Sequence, residues 1–329
     1  MVDRAHPLPE IDRAACIHSL SPLAGCADCI AACPHDALSY EAGGIALDAG
    51  ACSGCGACAG ICPARAITLD APEPVTDGRR LIAVCARHPA ARGRPAPVCI
   101  NRAGLNDFAA WALAGIREIA IATGDCDTCP ESTPRHLASM AGDFAPLARA
   151  HGLPGIEIVE AGAPDLKLWS RRAEDGPVPA RRALLRAITA PLRDESAATP
   201  PLQSLQSRDS VFAFAPVIDA NACSGCDACV NLCPEGVLTL INDSDGKMRY
   251  GTAAAACTGC LLCEDICADH AVEVSAMHPN PPEIALVEFS CRACGVSAHV
   301  PASGRRAASG LCPVCAASGH HKKLFQVLP

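Results

Sequence analysis

Aromatic side chains are scarce in this chain: two tryptophans, two tyrosines and six phenylalanines, 3% of 329 residues. Large rings therefore build little of its core. No apolar run reaches the roughly 18 residues that a membrane span needs. The opening MVDRAHPLPEID holds neither an apolar h-region nor paired arginines, so no export signal is expected and the reading is cytoplasmic. A basic excess is missing too. The net charge of -8 argues against a nucleic-acid binder and suits steering toward basic protein partners. There is no G-x-G-x-x-G, no P-loop and no C-x3-C-x2-C, and nothing resembles a flavin or molybdenum site. No independent catalysis is expected.

What the chain has instead is 24 cysteines. In a reducing cytosol, closely spaced cysteines are metal ligands rather than disulfides. Two stretches read C-x2-C-x2-C-x3-C-P: Cys52, Cys55, Cys58, Cys62 with Pro63, and Cys223, Cys226, Cys229, Cys233 with Pro234. Cys257, Cys260, Cys263 and Cys267 keep the spacing, with Ala268 in place of the proline. A fourth run is stretched, from Cys16 across nine residues to Cys26, then Cys29, Cys33 and Pro34. Cys16 is thus the least regular candidate ligand. Zinc favours separated pairs of C-x2-C knuckles, so four cysteines within twelve residues point away from it.

These runs organise the chain. Residues 10–71 and 216–276 are internal repeats: CSGCGACAGICPARAITL at Cys52 aligns without gaps to CSGCDACVNLCPEGVLTL at Cys223. Ser53, Gly54, Gly56 and Ala57 are small enough for the backbone to wrap closely and aim N–H groups at sulfur. A short apolar stretch follows each run and predicts a strand: Ala37–Tyr40, Ala66–Leu69, Val237–Ile241 and Ala271–Val274. Residues 79–162 alternate differently, with strands at Leu81–Val84, Ile116–Ala122 and Gly155–Val159 and helices at Leu105–Ala114 and Pro134–Ala150. That order predicts a parallel α/β layer. Residues 163–215 are rich in Arg, Ala, Pro and Ser and read as a linker with one helix over Ala180–Ile188. Its arginines (Arg171, Arg172, Arg181, Arg182, Arg186) read as a solvated helix face, with docking of an acidic partner as the alternative.

The cysteine rhythm resembles bacterial ferredoxins that carry two [4Fe–4S] clusters, here duplicated as in a polyferredoxin. The resemblance implies an α+β ferredoxin-like module at each repeat. It also implies that the fourth cysteine of each run crosses to the neighbouring cluster. Cys16, Cys26, Cys29 and Cys62 would then hold one cluster, and Cys52, Cys55, Cys58 and Cys33 its neighbour. In the second module Cys223, Cys226, Cys229 and Cys267 would hold one, and Cys257, Cys260, Cys263 and Cys233 the other.

In the α/β segment Cys85 follows the first strand, and Cys126 and Cys129 follow the second, in TGDCDTCP. Ligand sites of open α/β sheets gather at the carboxyl ends of strands, so these three and Cys99 are candidates for one centre. Cys85, the Cys99-x-x-Arg102 pair, the small-residue helix ending in Ala114-Gly115-Ile116, and Gly124-Asp125-Cys126 are similar to the iron–sulfur delta subunit of methyl-viologen-reducing hydrogenases over residues 81–162. That resemblance implies a [2Fe–2S] cluster on Cys85, Cys99, Cys126 and Cys129. It departs where the family has a second cysteine soon after the first strand, because Ala86, Arg87 and His88 follow Cys85 here. Two other readings stay open. Strand, C-x2-C, helix is also the layout of a thioredoxin-like dithiol at Cys126 and Cys129, and the four could be ordinary buried cysteines. His88 reads as a surface residue, with a ligand role as the alternative.

Residues 283–329 hold Cys291 and Cys294, then Cys312 and Cys315 seventeen residues later. These paired knuckles match a zinc ribbon, with a rubredoxin-like iron as the alternative. His320 and His321 read as a solvated tail. The expectation for the whole chain is an electron-transfer subunit working between redox partners, such as a formate dehydrogenase, a hydrogenase or a sulfur-metabolism reductase. The alternatives are a thiol–disulfide or sulfur-handling enzyme built on Cys126 and Cys129, and a redox sensor or assembly factor that docks through the ribbon.

Overall fold

The computed structural model describes residues 7–41, 43–132, 137–174, 202–205, 211–304 and 310–319. The chain divides into two compact units, Met1–Ser19 with Ala27–Ser207, and Leu20–Cys26 with Arg208–Pro329.

The first unit opens with the expected ferredoxin-like module. Strand β1 (Glu10–Ile11) pairs antiparallel with β4 (Ile67–Thr68), and β2 (Leu38–Glu41) pairs antiparallel with β3 (Gly44–Leu47). Between them lie two short helices, α1 (Asp28–Ala31) and α2 (Ala57–Ile61), each carrying a ligand-run cysteine. The helices end at Cys-Pro, where proline disfavours a helical residue before it. The core explains the shortage of aromatics: Cys16, Cys29 and Cys58 are buried together with Leu38, Ile45, Ala66 and Ile67. Thiols occupy the space that rings fill elsewhere.

The middle segment is the expected α/β layer. Strands β5 (Val75–Asp77), β6 (Arg80–Val84), β7 (Glu118–Ala122) and β8 (Glu157–Glu160) lie side by side in chain order. β5 is antiparallel to β6, and β6, β7 and β8 are parallel. The parallel crossovers carry α3 (Leu105–Leu113) and α4 (Leu137–Ala150), which meet through the rings of Phe108 and Phe144 at 5.9 Å. Residues 134–136 of the expected second helix lie outside the described residues.

Residues 163–174 differ from the linker expectation. They form helix α5 (Ala163–Glu174), whose Trp169 is 3% exposed. The indole packs with Ile82, Val84, Ala120 and Ala122. These are alternate residues of β6 and β7, so they share one sheet face. The polar composition of the segment masked a single large anchor. Arg171 and Arg172 lie in the last turn of α5. The helix expected at 180–188, with Arg181, Arg182 and Arg186, lies outside the described residues, as do His320 and His321.

The second unit repeats the ferredoxin-like plan with longer strands. β9 (Val211–Ile218) pairs antiparallel with β12 (Val272–Pro279). β10 (Leu238–Asn242) and β11 (Met248–Thr252) form a hairpin, with α6 (Ala228–Leu232) and α7 (Leu262–Asp265) as the cysteine-bearing helices. The hairpin does not end there. β11 pairs with β13 (Ile284–Ser290), and β13 with β14 (Ser297–Pro301). The C-terminal cysteine segment, closed by α8 (Pro313–Ser318), therefore shares a four-stranded sheet with the second ferredoxin-like module. Segment Leu20–Cys26 belongs to this unit, and the Gly25 N–H donates to Asp265 Oδ2 at 2.7 Å. No helix among the described residues is long and apolar enough to cross a membrane.

Candidate metal centres

In each ferredoxin-like module one cysteine loop is set by an aspartate four residues before its first cysteine. In the first module Asp48 Oδ1 accepts from the Gly50 N–H at 2.7 Å, and the Cys52 N–H donates to the Asp48 carbonyl at 3.1 Å. In the second, Asp219 does the same with Asn221 (2.8 Å) and Cys223 (2.9 Å). The chain then curls through left-handed positions at Gly54 and Gly56, or Gly225 and Asp227, and points its thiols inward.

Cys33, Cys52, Cys55 and Cys58 wall one cavity of the first module. Three come from one run and Cys33 from the other. Cys62 in turn lies beside Cys16. The second module repeats the exchange. Cys257, Cys260 and Cys263 wall a cavity with Cys233, and Cys267 sits with Cys223, Cys226 and Cys229. Cys26 lies on the segment that groups with the second unit.

Backbone amides point at these sulfurs. Cys33 Sγ accepts from Ala37 N–H at 3.3 Å, Cys52 from Gly54 at 3.4 Å, Cys233 from Val237 at 3.3 Å and Cys267 from Ala271 at 3.2 Å. N–H donors favour a charged, ligating sulfur. Burial opposes them. It pushes the thiols of Cys58, Cys229 and Cys257 up to about 12, helped by neighbouring cysteines, and raises Cys263 further. Four thiolates cannot share such a pocket without a cationic body between them. Among the described residues, none of these sets brings three sulfurs within 4.8 Å of one another.

Two family models match at these places. Both describe a 4Fe-4S dicluster domain, one over residues 24–74 and the other over 215–268. The chain carries two ferredoxin-type 4Fe-4S dicluster domains. It is an iron–sulfur protein of the electron-transfer kind. No curated protein matches the chain closely enough to count as a relative. Cys16 lies outside the first matched range and Cys267 inside the second.

The second dicluster domain has an outer network that the cysteine pattern does not disclose. The Tyr250 hydroxyl donates to Asp227 Oδ1 at 2.5 Å, and His299 Nε2 lies 2.9 Å from the same oxygen. Burial and the Asp227 carboxylate push the Tyr250 hydroxyl far up, so it stays a donor. Asp227 sits between Cys226 and Cys229, whereas His299 comes from β14. The network ties the C-terminal sheet to the cluster loop.

In the α/β layer, Cys85 follows β6 and Cys126 and Cys129 follow β7, at the carboxyl ends of adjacent parallel strands. Cys85 and Cys129 both lie close enough to Cys99 to raise its thiol, which burial takes to about 12. Cys126 joins through Gly124: its thiol lies 3.9 Å from the Gly124 carbonyl, and the Gly124 N–H donates to Cys85 Sγ at 3.3 Å. The structure thus brings Cys85, Cys99 and Cys129 near one another at the carboxyl ends of β6 and β7, with Cys126 on the same loop as Cys129. It adds a residue that sequence reasoning passed over. Glu131, 8% exposed, takes Arg87 at 2.6 Å and accepts from the Cys129 thiol at 3.3 Å. His88 accepts from the Ala90 N–H and caps a 3₁₀ turn over Pro89–Ala91.

The C-terminal cysteines behave differently. The ligand atoms of Cys291, Cys294, Cys312 and Cys315 all lie within 4.8 Å of one another, alone in this among the described residues. Four thiolates about 2.3 Å from one tetrahedral ion sit roughly 3.8 Å apart, and Cys294 and Cys312 are separated by 3.8 Å. The backbone N–H of Cys312 (3.2 Å), with those of Ala293 and Cys294, draws Cys291 down to about 6. Cys315 moves up through burial and its three sulfur neighbours. Four convergent thiols at this spacing could hold one metal ion.

Proposed function

We propose that the chain is an electron-transfer subunit that works between a donor and an acceptor oxidoreductase, holding four [4Fe–4S] clusters, a further [2Fe–2S] cluster in the α/β layer and one zinc ion at its C-terminus. Bound clusters supply one-electron storage and release at potentials set by hydrogen bonds, charge and exposure. The observation that carries the reading is the exchange of the fourth cysteines. Cys33 lies with Cys52, Cys55 and Cys58, and Cys233 with Cys257, Cys260 and Cys263. By the same exchange Cys62 would join Cys16 and Cys29, and Cys267 would join Cys223, Cys226 and Cys229.

The protein's own residues do the rest. The exchange fixes each pair of sites side by side. Amides of Ala37, Gly54, Val237 and Ala271 stabilise charge on sulfur. Apolar packing by Leu38, Ile45 and Ile67, and by Leu238, Tyr250 and Val272, limits water. For the α/β layer, convergence of Cys85, Cys99 and Cys129, with Cys126 attached through Gly124, favours a cluster. Thiol chemistry at Cys129 is disfavoured: burial and the Glu131 carboxylate both raise its thiol, the opposite of what a nucleophilic thiolate needs.

A reductive titration of the anaerobic chain tests this. Four cubanes take up about four electrons, and the fifth cluster about one more. Uptake near five, followed by full release to an added acceptor protein and no turnover of a small substrate, is expected. Uptake of two or fewer contradicts the reading.

A further inference from the structure

Cys99 of the α/β layer is not buried among that layer's residues alone. It shares an apolar pocket with Ala32, Cys55 and Ala57 of the first dicluster domain, flanked by Ile61 and Val98. Cys55 and Cys99 are each 8% exposed. Electrostatically, Cys99 senses Cys55 as well as Cys129 and Cys85. The backbones beside these two cysteines touch. A Cβ on Gly60 would lie 1.6 Å from the Arg102 carbonyl oxygen, and one on Gly104 would lie 1.9 Å from that of Gly60. Helix α2, which follows Cys55, and the turn that follows Cys99 are therefore pressed together at two glycines. This close approach leaves no room for side chains or water between them.

We propose that the pocket shared by Cys55 and Cys99 is the electron junction between the α/β layer and the first dicluster domain. It joins the centre at Cys85, Cys99, Cys126 and Cys129 to the cluster at Cys33, Cys52, Cys55 and Cys58. This rests on the reading of those middle cysteines as cluster ligands. One electron leaves the first centre, oxidising it by one, and enters the second, reducing it by one, or the reverse. No bond or proton need change place. The α/β layer is then a port for electrons, and the cluster whose ligand shares that pocket is the first stop inside.

The test is electron paramagnetic resonance at two microwave frequencies on the full anaerobic chain, with iron counted on the same sample. Reduced [2Fe–2S] centres stay visible at temperatures where cubane signals have broadened away. The expected result is a middle-centre signal that splits or relaxes faster once the neighbouring cubane is reduced. In Gly104→Ala, with iron unchanged, that interaction should be lost or weakened. If the variant does not fold, the unmodified chain decides alone. Iron near 18 per chain with an unsplit, slowly relaxing signal overturns the junction and leaves the ligand reading intact. Iron near 16 removes the middle centre itself, and the junction with it.

Discussion

At the scale of single residues, the sites are contests between burial and backbone amides for the charge on sulfur. Burial outweighs the amides: Cys58, Cys229 and Cys257 rise to about 12 from an ordinary value of 9.0. A raised thiol keeps its proton through neutral pH, so cluster loading must displace protons, and loading weakens as pH falls. For these three the dependence runs up toward about 12 rather than ending near 9. Cluster retention against a chelator is therefore expected to keep rising above pH 9, and a plateau at the ordinary thiol value would contradict the burial argument. Glu131 carries a second prediction. Arg87 is half-exposed and its charge is balanced by Glu131 at 2.6 Å, next to Cys85 and Cys129. Glu131→Gln leaves that positive charge unopposed and favours the reduced, more negative centre. The midpoint potential of the middle centre is expected to move up with iron content unchanged. An unchanged or lower potential would remove Glu131 from the tuning of this site. The cysteines were legible in the sequence because their spacing is local. Glu131 was not, because its partner lies 44 positions away and a lone acid after Cys-Pro carries no pattern.

At the scale of elements, the repeat was legible and the joins were not. The C-x2-C-x2-C-x3-C rhythm fixes a loop, a short helix and a following strand, and all three recur in both domains. Strands β6, β7 and β8 stand close to where their apolar runs predicted. Helix α5 was hidden in an arginine-rich stretch because one indole, Trp169, supplies most of its anchoring. The continuation of β10–β11 into β13–β14 was hidden because strand pairing is non-local, and neither hairpin advertises its neighbour. That join has a consequence. Gly225, at φ +71, lies in the cluster loop, and a Cβ there would come within 2.0 Å of the His299 carbonyl oxygen on β14. A left-handed alanine costs about 1–2 kcal/mol, and β14 must also retreat, breaking the Asp227–His299 contact. Gly225→Ala is expected to shorten cluster lifetime in the second dicluster domain and to leave the first unaffected, as read by iron release under a chelator. Equal lifetimes in both domains would show that β14 does not clamp the loop.

At the scale of the whole molecule, the chain is a set of cysteine pockets on scaffolds with few aromatic rings. Thiols stand in the core of the first dicluster domain, so metal and fold are expected to be gained and lost together. The C-terminal tetrad alone among the described residues gathers four ligand atoms within 4.8 Å of one another. The number of clusters decides what the chain can carry. Anaerobic analysis of iron, acid-labile sulfide and zinc in the purified chain tests it most directly. Four cubanes, one [2Fe–2S] centre and the C-terminal site require about 18 iron and 18 sulfide with one zinc. About 8 iron or fewer, with several zinc ions in the remaining cysteine sets, would contradict that count.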